Sequence, residues 1–369
     1  MYIYKLELKN FRNYEELNIS FNKNVNLILG KNAQGKTNLL EAIYLSQIGR
    51  SFRTNHDHEM IQFKKEEAKV KVYVHKSYLD TSVEILLKTK GKTAAEKFIK
   101  KDGKNLKQSS QLLNNIYFVV FSPEDLKLVK EDPEKRRKFI DRELCQISPQ
   151  YLSAFNDYKK TLTQRNAYLK EKKIDPEILD IWDSQLAKYG AIIISLRDAF
   201  IKDISKYSAE IHSGITDGAE SLLIEYDPNV RVFDIFDEQE EFLYEQIKKS
   251  HATDLKLRTT NVGPHRDDII FYVNDVNMRN FGSQGQQRTC ALSIKLAEIN
   301  LIKEETGEDA ILLLDDVMSE LDLSRQEYLI DTIKNNQIFI TTTEMDKSIL
   351  DRFLEASVYH VKKGKIEKK

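Results

Sequence analysis

Gly30-Lys31-Asn32-Ala33-Gln34-Gly35-Lys36-Thr37 decides how the rest of the chain is read. Its spacing is G-x-x-x-x-G-K-[ST], a loop that wraps phosphate in backbone N–H groups. Ahead of it, Val25-Asn26-Leu27-Ile28-Leu29 is an apolar run of strand length. Behind it, Asn38-Leu39-Leu40-Glu41-Ala42-Ile43-Tyr44-Leu45 places apolar residues at helical spacing. Strand, loop and helix in that order are the context the motif requires, which a chance glycine turn would lack. The glycines allow the tight turn, and the helix aims its positive end at the same anion. All eight residues are expected to bind ATP or GTP. Lys36 reaches the β- and γ-phosphates, and the Thr37 hydroxyl ligates Mg²⁺.

Composition bounds what surrounds this loop. The 369 residues suffice for two or three domains, or for one large domain with an insert. With 57 basic and 58 acidic residues the chain is no globally basic nucleic-acid binder, although a local basic face is allowed. Cys145 and Cys290 fit no metal spacing and read as reduced thiols of a cytoplasmic protein. Met1-Tyr2-Ile3-Tyr4-Lys5-Leu6 lacks the apolar core of a signal peptide, and Ala191-Ile192-Ile193-Ile194 is far too short to span a bilayer.

Alternation predicts strands over residues 2 to 9 and from Leu17 to Phe21, joined by a turn at Asn10–Tyr14. Residues 68 to 107 read as a β-meander with turns at Gly91 and Asp102-Gly103. Its lysines, Lys88, Lys90, Lys92, Lys97, Lys100, Lys101, Lys104 and Lys107, form either a solvated face or a phosphate-backbone contact. Arg50 and Arg53, after the phosphate-loop helix, face nucleotide, DNA or solvent. Ile116–Phe121 is a buried strand. From Pro133 to about Ser213 the chain is charged, nearly glycine-free and helical, with Pro133, Pro149 and Pro176 placed to begin helices. Ile178, Trp182, Leu186, Tyr189, Ile193, Leu196, Phe200, Ile204, Tyr207 and Ile211 form one apolar stripe. Such a stripe marks a long helix, packed here on the run carrying Leu152, Phe155, Tyr158, Leu162 and Leu169. Three parts result: a nucleotide head over 1–129, an inserted helical arm over 130–255, and the head again over 256–369. In the last part, strands at 269–273, 311–314 and 338–342 alternate with helices at 286–304 and 324–333, and 358–366 closes the chain around Gly364. The pattern predicts an α/β fold with a mostly parallel sheet.

A phosphate loop needs a carboxylate for its metal. Ile311-Leu312-Leu313-Leu314-Asp315-Asp316 supplies a wholly apolar strand ending in paired acids. Asp315 is expected to hold Mg²⁺ through water and Asp316 to orient or deprotonate the attacking water. A mere strand-end cap is the plainer alternative. His56-Asp57-His58 lacks a third metal ligand and reads as a surface loop. His265-Arg266-Asp267-Asp268 reads as a structural loop before a strand, with a nuclease centre as the rival.

Phe281-Gly282-Ser283-Gln284-Gly285-Gln286-Gln287-Arg288 resembles the signature loop of ABC-type ATPases, and Met318-Ser319-Glu320-Leu321-Asp322 resembles their D-loop. The long, helical interval between Thr37 and Ser283 is similar to the structural-maintenance-of-chromosomes branch, with an arm too short for a long coiled coil. Leu6–Tyr14, Phe121–Leu126, Arg136-Arg137, Gly263–Asp268, Gly282–Arg288 and Leu314–Asp322 extend the likeness to the RecF family over essentially the whole chain.

That resemblance implies an ATPase head that pairs with a second copy. Ser283, Gly285 and Gln286 of one copy would complete the γ-phosphate site of the other, whose own catalytic groups are Lys36 and Asp316. It also implies DNA binding that favours duplex beside single-strand gaps, and work with RecR and RecO in loading RecA. DNA contacts are expected on a basic saddle across the pair, from Arg50, Arg53, Lys100, Lys101, Lys104, Arg136 and Arg137. Asp316 stands where related heads carry Glu, and Thr341-Thr342-Thr343-Glu344 carries no histidine γ-phosphate sensor. Both departures imply slow hydrolysis, suited to a switch. The rival functions are an ABC-type ATPase serving a protein complex or permease without DNA, and a non-catalytic DNA scaffold.

Overall fold

The alternation at the N-terminus becomes β1 (Tyr2–Phe11) and β2 (Tyr14–Ser20), an antiparallel pair whose Leu6, Leu8 and Leu17 turn inward. In this computed structural model all residues are described except 77–78, 92, 113–114, 344–351, 353–354 and 369. Lys92 and Glu344 of the motifs above therefore lie outside the described residues. The chain divides into two compact units, Met1–Leu126 with Glu298–Lys369, and Lys127–Ala297.

In the first unit β3 (Val25–Leu29) leads through the phosphate loop into α1 (Lys36–Ile48). The meander follows as β4 (Glu67–His75), β5 (Asp80–Lys90), β6 (Ala94–Lys101) and β7 (Lys104–Leu106). With β1 and β2 these make one antiparallel sheet in the order β2-β1-β4-β5-β6-β7. Strict alternation in β4 and β5 buries Val70, Val72, Val74, Val83, Ile85 and Leu87 on one face and leaves lysines on the other. β8 (Phe118–Phe121) belongs to the second sheet and is apolar at every position, as expected of a parallel strand buried on both faces.

The second unit opens with α2 (Pro133–Ile147), α3 (Pro149–Tyr168) and α4 (Pro176–Ile215), each beginning on its predicted proline. The buried face of α4 differs from the predicted stripe. Leu186, Ile193, Phe200, Ile204 and Ile211 of the stripe are buried as expected, but Ile178 is exposed, and the face also takes in Leu179, Asp183, Ala187, Gly190, Ile194 and Arg197. Two of those residues are charged, and their ion pairs hold the face inward. Residues 222–255, expected to be helical arm, contain β9 (Leu222–Asp227) before α5 (Phe236–Lys249) and most of α6 (His251–Leu257). β9 pairs antiparallel with β10 (Asp268–Val273), so residues 256–297 fold with the helical unit rather than with the head. β10 turns through Asn274 and Asp275, at φ 49° and 62°, into β11 (Val276–Asn277). That is the left-handed geometry a two-residue hairpin selects Asn and Asp for. α7 (Met278–Phe281) and α8 (Gln284–Thr306) follow, and α8 crosses the division between units after Ala297.

Back in the first unit come β12 (Ile311–Asp315), α9 (Leu323–Ile333), β13 (Ile338–Thr342), β14 (Ala356–Lys362) and β15 (Lys365–Lys368). The second sheet has the order β15-β14-β3-β13-β12-β8. Every pair is parallel except β14 with β15. α1 contacts strands of both sheets and is buried almost all round, which explains why its apolar residues fill the helix instead of one stripe. Gln337 joins the sheets: its amide accepts from Ile3 N at 2.6 Å and donates to Ile3 O at 2.7 Å, imitating a strand neighbour.

In the second unit His265-Arg266-Asp267-Asp268 buries Asp267, half-buries His265 and Asp268 and leaves Arg266 exposed. His265 Nε2 donates to Thr260 O (3.0 Å), an acceptor only, so Nδ1 accepts the Tyr158 hydroxyl at 2.7 Å. Burial pushes this imidazole down to about 4, keeping it neutral. Asp267 accepts from Arg197 (2.9 Å), Asn229 N (2.9 Å) and the Tyr226 hydroxyl. The segment is a structural knot, as the sequence favoured.

Candidate active site

The phosphate loop lies at the C-terminal end of β3, where open parallel sheets present their ligands. Gly35, at φ 117°, precedes α1 in a conformation that L side chains rarely adopt. Two distant segments hold the loop. Asn13 Nδ2 donates to Gln34 O (2.8 Å), and the Tyr14 hydroxyl donates to Gly35 O (2.9 Å). From the β14–β15 turn, Lys363 N donates to Gln34 Oε1 (2.9 Å) and Gly364 N to Gln34 O (3.1 Å). Lys36 is buried, with Nζ donating to Gly30 O (2.7 Å) and Lys31 O (3.4 Å). A cavity of about 450 Å³ opens here, lined by Asn32, Ala33, Gly35, Lys36, Thr37, Asn38, Arg53 and Asp316. Cation, loop amides and helix terminus together suit a polyphosphate.

A Cβ on Gly35 would stand 2.6 Å from Asn13 Nδ2. Gly35→Ala therefore adds backbone strain of about 1–2 kcal/mol and displaces the Asn13 clasp. Affinity for a fluorescent ATP analogue is expected to drop at least about tenfold. Gly91→Ala is the control: φ is also positive, at 71°, but the space is open. Equal affinities for the two variants would refute the clasp.

The acids converge on the same loop. The Thr37 hydroxyl donates to Asp315 Oδ1 at 2.8 Å. Burial raises the Asp315 carboxyl, and the hydroxyls of Thr341 and Thr37 pull it part of the way back. A hydroxyl beside a carboxylate is a hard-oxygen set, and it fits Mg²⁺. Asp316 lines the cavity from a left-handed conformation, φ 55°, where Asp is tolerated. After it, Ser319 Oγ donates to Asp316 O (2.8 Å), and Asp322 caps α9 by accepting from Arg325 N (3.0 Å).

In the second unit Ser283 and Gln286 form a reciprocal cap on α8. Gln286 N donates to Ser283 Oγ (3.2 Å), and Ser283 N donates to Gln286 Oε1 (3.1 Å). The Ser283 oxygen is thus an acceptor within its own chain, while its proton remains available to an anion. Ser283 and Gly285 are exposed, as is Phe281 at 76%.

The DNA candidates separate. Arg50 and Lys104 are exposed and Lys101 is half-buried; Lys100 is paired with Glu84 at 3.7 Å. Arg53 belongs to the nucleotide cavity, donating to Asn38 Oδ1 at 2.7 Å. Arg136 is a correction. It is 1% exposed, bidentate to Asp268 at 2.6 Å through both Nε and Nη2, and bonded to Glu131 O, so no donor fork is left for DNA. Arg137 is half-buried and donates to Asp267 O at 2.6 Å. Sequence reasoning missed Asn13, Tyr14, Thr341 and Gly364 as supports of the site. Of these only Asn13-Tyr14 carried a signal, as part of the family-like turn.

A phosphate loop at the end of a parallel strand, a carboxylate two strands away bonded to the loop's threonine and an antiparallel sheet across the loop's helix define a P-loop ATPase head of ABC type. The head is interrupted by the second unit. The model of the RecF/RecN/SMC N terminal domain family matches residues 2–366. A relative from Agathobacter rectalis, named DNA replication and repair protein RecF, is 44% identical over 370 residues, covering 100% of this chain and 99% of its own. One of the same name from Alkaliphilus oremlandii is 45% identical, with 100% of both chains covered. The chain belongs to the RecF family. A solved structure described as the recombination mediator protein RecF-ATP in the RecFOR pathway superposes with a TM-score of 0.91 at 36% identity, covering 100% of this chain and 97% of that one. An Smc head bound to a winged-helix domain of ScpA, at 15% identity and a TM-score of 0.56 over 100% and 98% of the chains, shares the fold.

Proposed function

We propose that this protein is an ATP-dependent DNA clamp of recombinational repair and replication restart. ATP binding pairs two copies on gapped DNA, and slow hydrolysis releases them. The observation that carries the reading is the Thr37–Asp315 bond at 2.8 Å, which brings loop and acidic strand into one metal-competent site. The RecF-named relatives in DNA replication and repair, and the RecF-ATP structure, support the nucleotide and the pathway. Family membership supports RecR, RecO and RecA as pathway partners. Among the described residues no helix is long and apolar enough to cross a membrane, and the clamp is assigned to the cytoplasm, on the nucleoid.

The residues divide the work. Loop amides and Lys36 hold the triphosphate, and Thr37 and Asp315 hold Mg²⁺. The metal, when bound, neutralises charge on the β- and γ-phosphates. Asp316 orients and deprotonates water for attack on the γ-phosphorus. Ser283, Gly285 and Gln286 of a second copy bring an exposed hydroxyl and a helix N-terminus to the same γ-phosphate. Arg50, Lys100, Lys101, Lys104 and Arg137 are the DNA contacts that remain, with Lys101 and Lys104 opposed across the β6–β7 hairpin.

Gel shifts with gapped and blunt duplex, with and without Mg²⁺-ATP and across a salt series, test the reading. Binding is expected to require ATP, to favour gapped duplex and to fall steeply with salt. Replacing Lys101 and Lys104 together by Gln should flatten the log–log salt slope by about 2. Sedimentation should give a dimer only with ATP. An ATP-indifferent monomer that ignores DNA would return the protein to the permease-type alternative.

A further inference from the structure

Thr341 is out of place by packing logic. It lies in β13, whose sequence Ile338-Phe339-Ile340-Thr341-Thr342 is buried at every position. Valine has the same shape and needs no hydrogen bond, so it is the default in a central strand. A buried hydroxyl is tolerated only when its hydrogen bonds are made. Parallel pairing sets Thr341 opposite Asp315 in the neighbouring strand. Its Oγ1 lies 2.8 Å from Asp315 Oδ1, and Asp316 N donates to it at 3.0 Å.

Counting protons fixes the roles. A hydroxyl has one proton to donate, and the Asp316 N–H can only donate. Thr341 therefore accepts from Asp316, and its proton goes to Asp315 Oδ1 at 2.8 Å in preference to the Leu314 carbonyl at 3.4 Å. Asp315 Oδ1 then receives two hydroxyls, one from Thr37 on α1 and one from Thr341 on β13. Oδ2 accepts none among the described residues, which leaves it for the metal's hydration shell. The same Asp316 N–H also reaches Thr341 O at 3.1 Å, so Thr341 holds the entry to the left-handed residue through its hydroxyl and its carbonyl together.

We propose that Thr341 is a positioning residue: one hydroxyl sets the rotamer of the metal carboxylate and the backbone of the water-orienting acid, coupling metal capture to hydrolysis. The inference rests on the reading of Asp315 and Asp316 given above. It makes Thr341 the point through which a shift of β13 against β12 would move both acids together.

The test uses the full-length protein with valine, alanine and serine at position 341. Thr341→Val and Thr341→Ala are expected to weaken binding of Mn²⁺ to the complex with a non-hydrolysable ATP analogue about tenfold, read by electron paramagnetic resonance. They should lower kcat for ATP about tenfold or more, with KM moving less than about threefold. Metal-free nucleotide affinity should stay unchanged, and Thr341→Ser should restore both losses. Unchanged Mn²⁺ affinity and kcat in the valine and alanine variants would overturn the proposal. So would a serine variant that fails to recover, or two hydroxyl-free variants that unfold while serine does not. If the wild type hydrolyses no ATP with or without DNA, the clamp cycle fails, while the Mn²⁺ measurement still decides the role of Thr341.

Discussion

Arg165→Ala is expected to destabilise the second unit by about 3–5 kcal/mol, the loss typical when one partner of a buried ion pair is removed. Arg165 is wholly buried on α3. Its Nε donates to Asp183 of α4 at 2.8 Å, and its Nη1 donates to Asp254 of α6 and to Thr260 at 2.8 Å each. Both carboxylates are themselves fully buried, so without the guanidinium two acids would face an interior that cannot solvate them. Their other partners do not replace it: His251 reaches Asp183 at 2.6 Å, and Ser250 and Asn261 reach Asp254 near 3.0 Å. Arg165→Lys should recover only part of the loss, because a single ammonium cannot span two carboxylates as a planar fork does. Hydrogen exchange across 149–260 of the full-length protein, with urea unfolding beside it, measures the effect. As a control, Lys249, whose pair with Glu245 is exposed, should be replaceable without measurable change. A loss below about 1 kcal/mol for Arg165→Ala would show that the charges are not what holds these helices together.

The same cluster explains where reading the sequence stops. The phosphate loop was legible because glycine spacing and flanking periodicity encode backbone geometry locally. The acidic strand was legible because four consecutive apolar residues ending in Asp315-Asp316 can only be a buried strand that emerges at a site. The predicted stripe on α4 counted apolar residues and passed over Asp183 and Arg197, since a charge on a helix is ordinarily a solvated one. Here the partners are far away in sequence: Asp254 for Arg165, Asp267 and Asp141 for Arg197. Arg136 was assigned to DNA for the converse reason, charge type without knowledge of Asp268. β9 was lost because Leu222, Ile224 and Tyr226 alternate for only a few residues inside a helical composition, and the strand exists by pairing with β10. The loop's outer clasp was out of reach of local patterns, since Lys363 and Gln34 are 329 residues apart. Residue types thus revealed the groups that would touch nucleotide. The groups that hold those in place appeared only when strands were set side by side.

Asp316→Asn is expected to cut ATP turnover by about 10²–10³-fold while leaving nucleotide affinity within a few-fold of wild type. The substitution separates chemistry from structure unusually well. Asn populates the left-handed region about as readily as Asp, so φ 55° is kept at little cost, and the bonds to the Thr341 hydroxyl and carbonyl come from the backbone N–H of residue 316, which the substitution keeps. What is lost is the carboxylate in the cavity, and with it the group proposed to orient and deprotonate water. Asp316→Ala would confound the result by adding roughly 1–2 kcal/mol of backbone strain, and Asp315→Asn would confound it by weakening metal binding. If hydrolysis is what separates the copies, the Asn variant should stay dimeric on DNA after free ATP is removed, whereas the wild type dissociates. Sedimentation after rapid desalting reads this directly. A variant that hydrolyses normally would place the base elsewhere. One that stops hydrolysing yet dissociates as fast as wild type would mean that nucleotide exchange, and not cleavage, ends the clamped state.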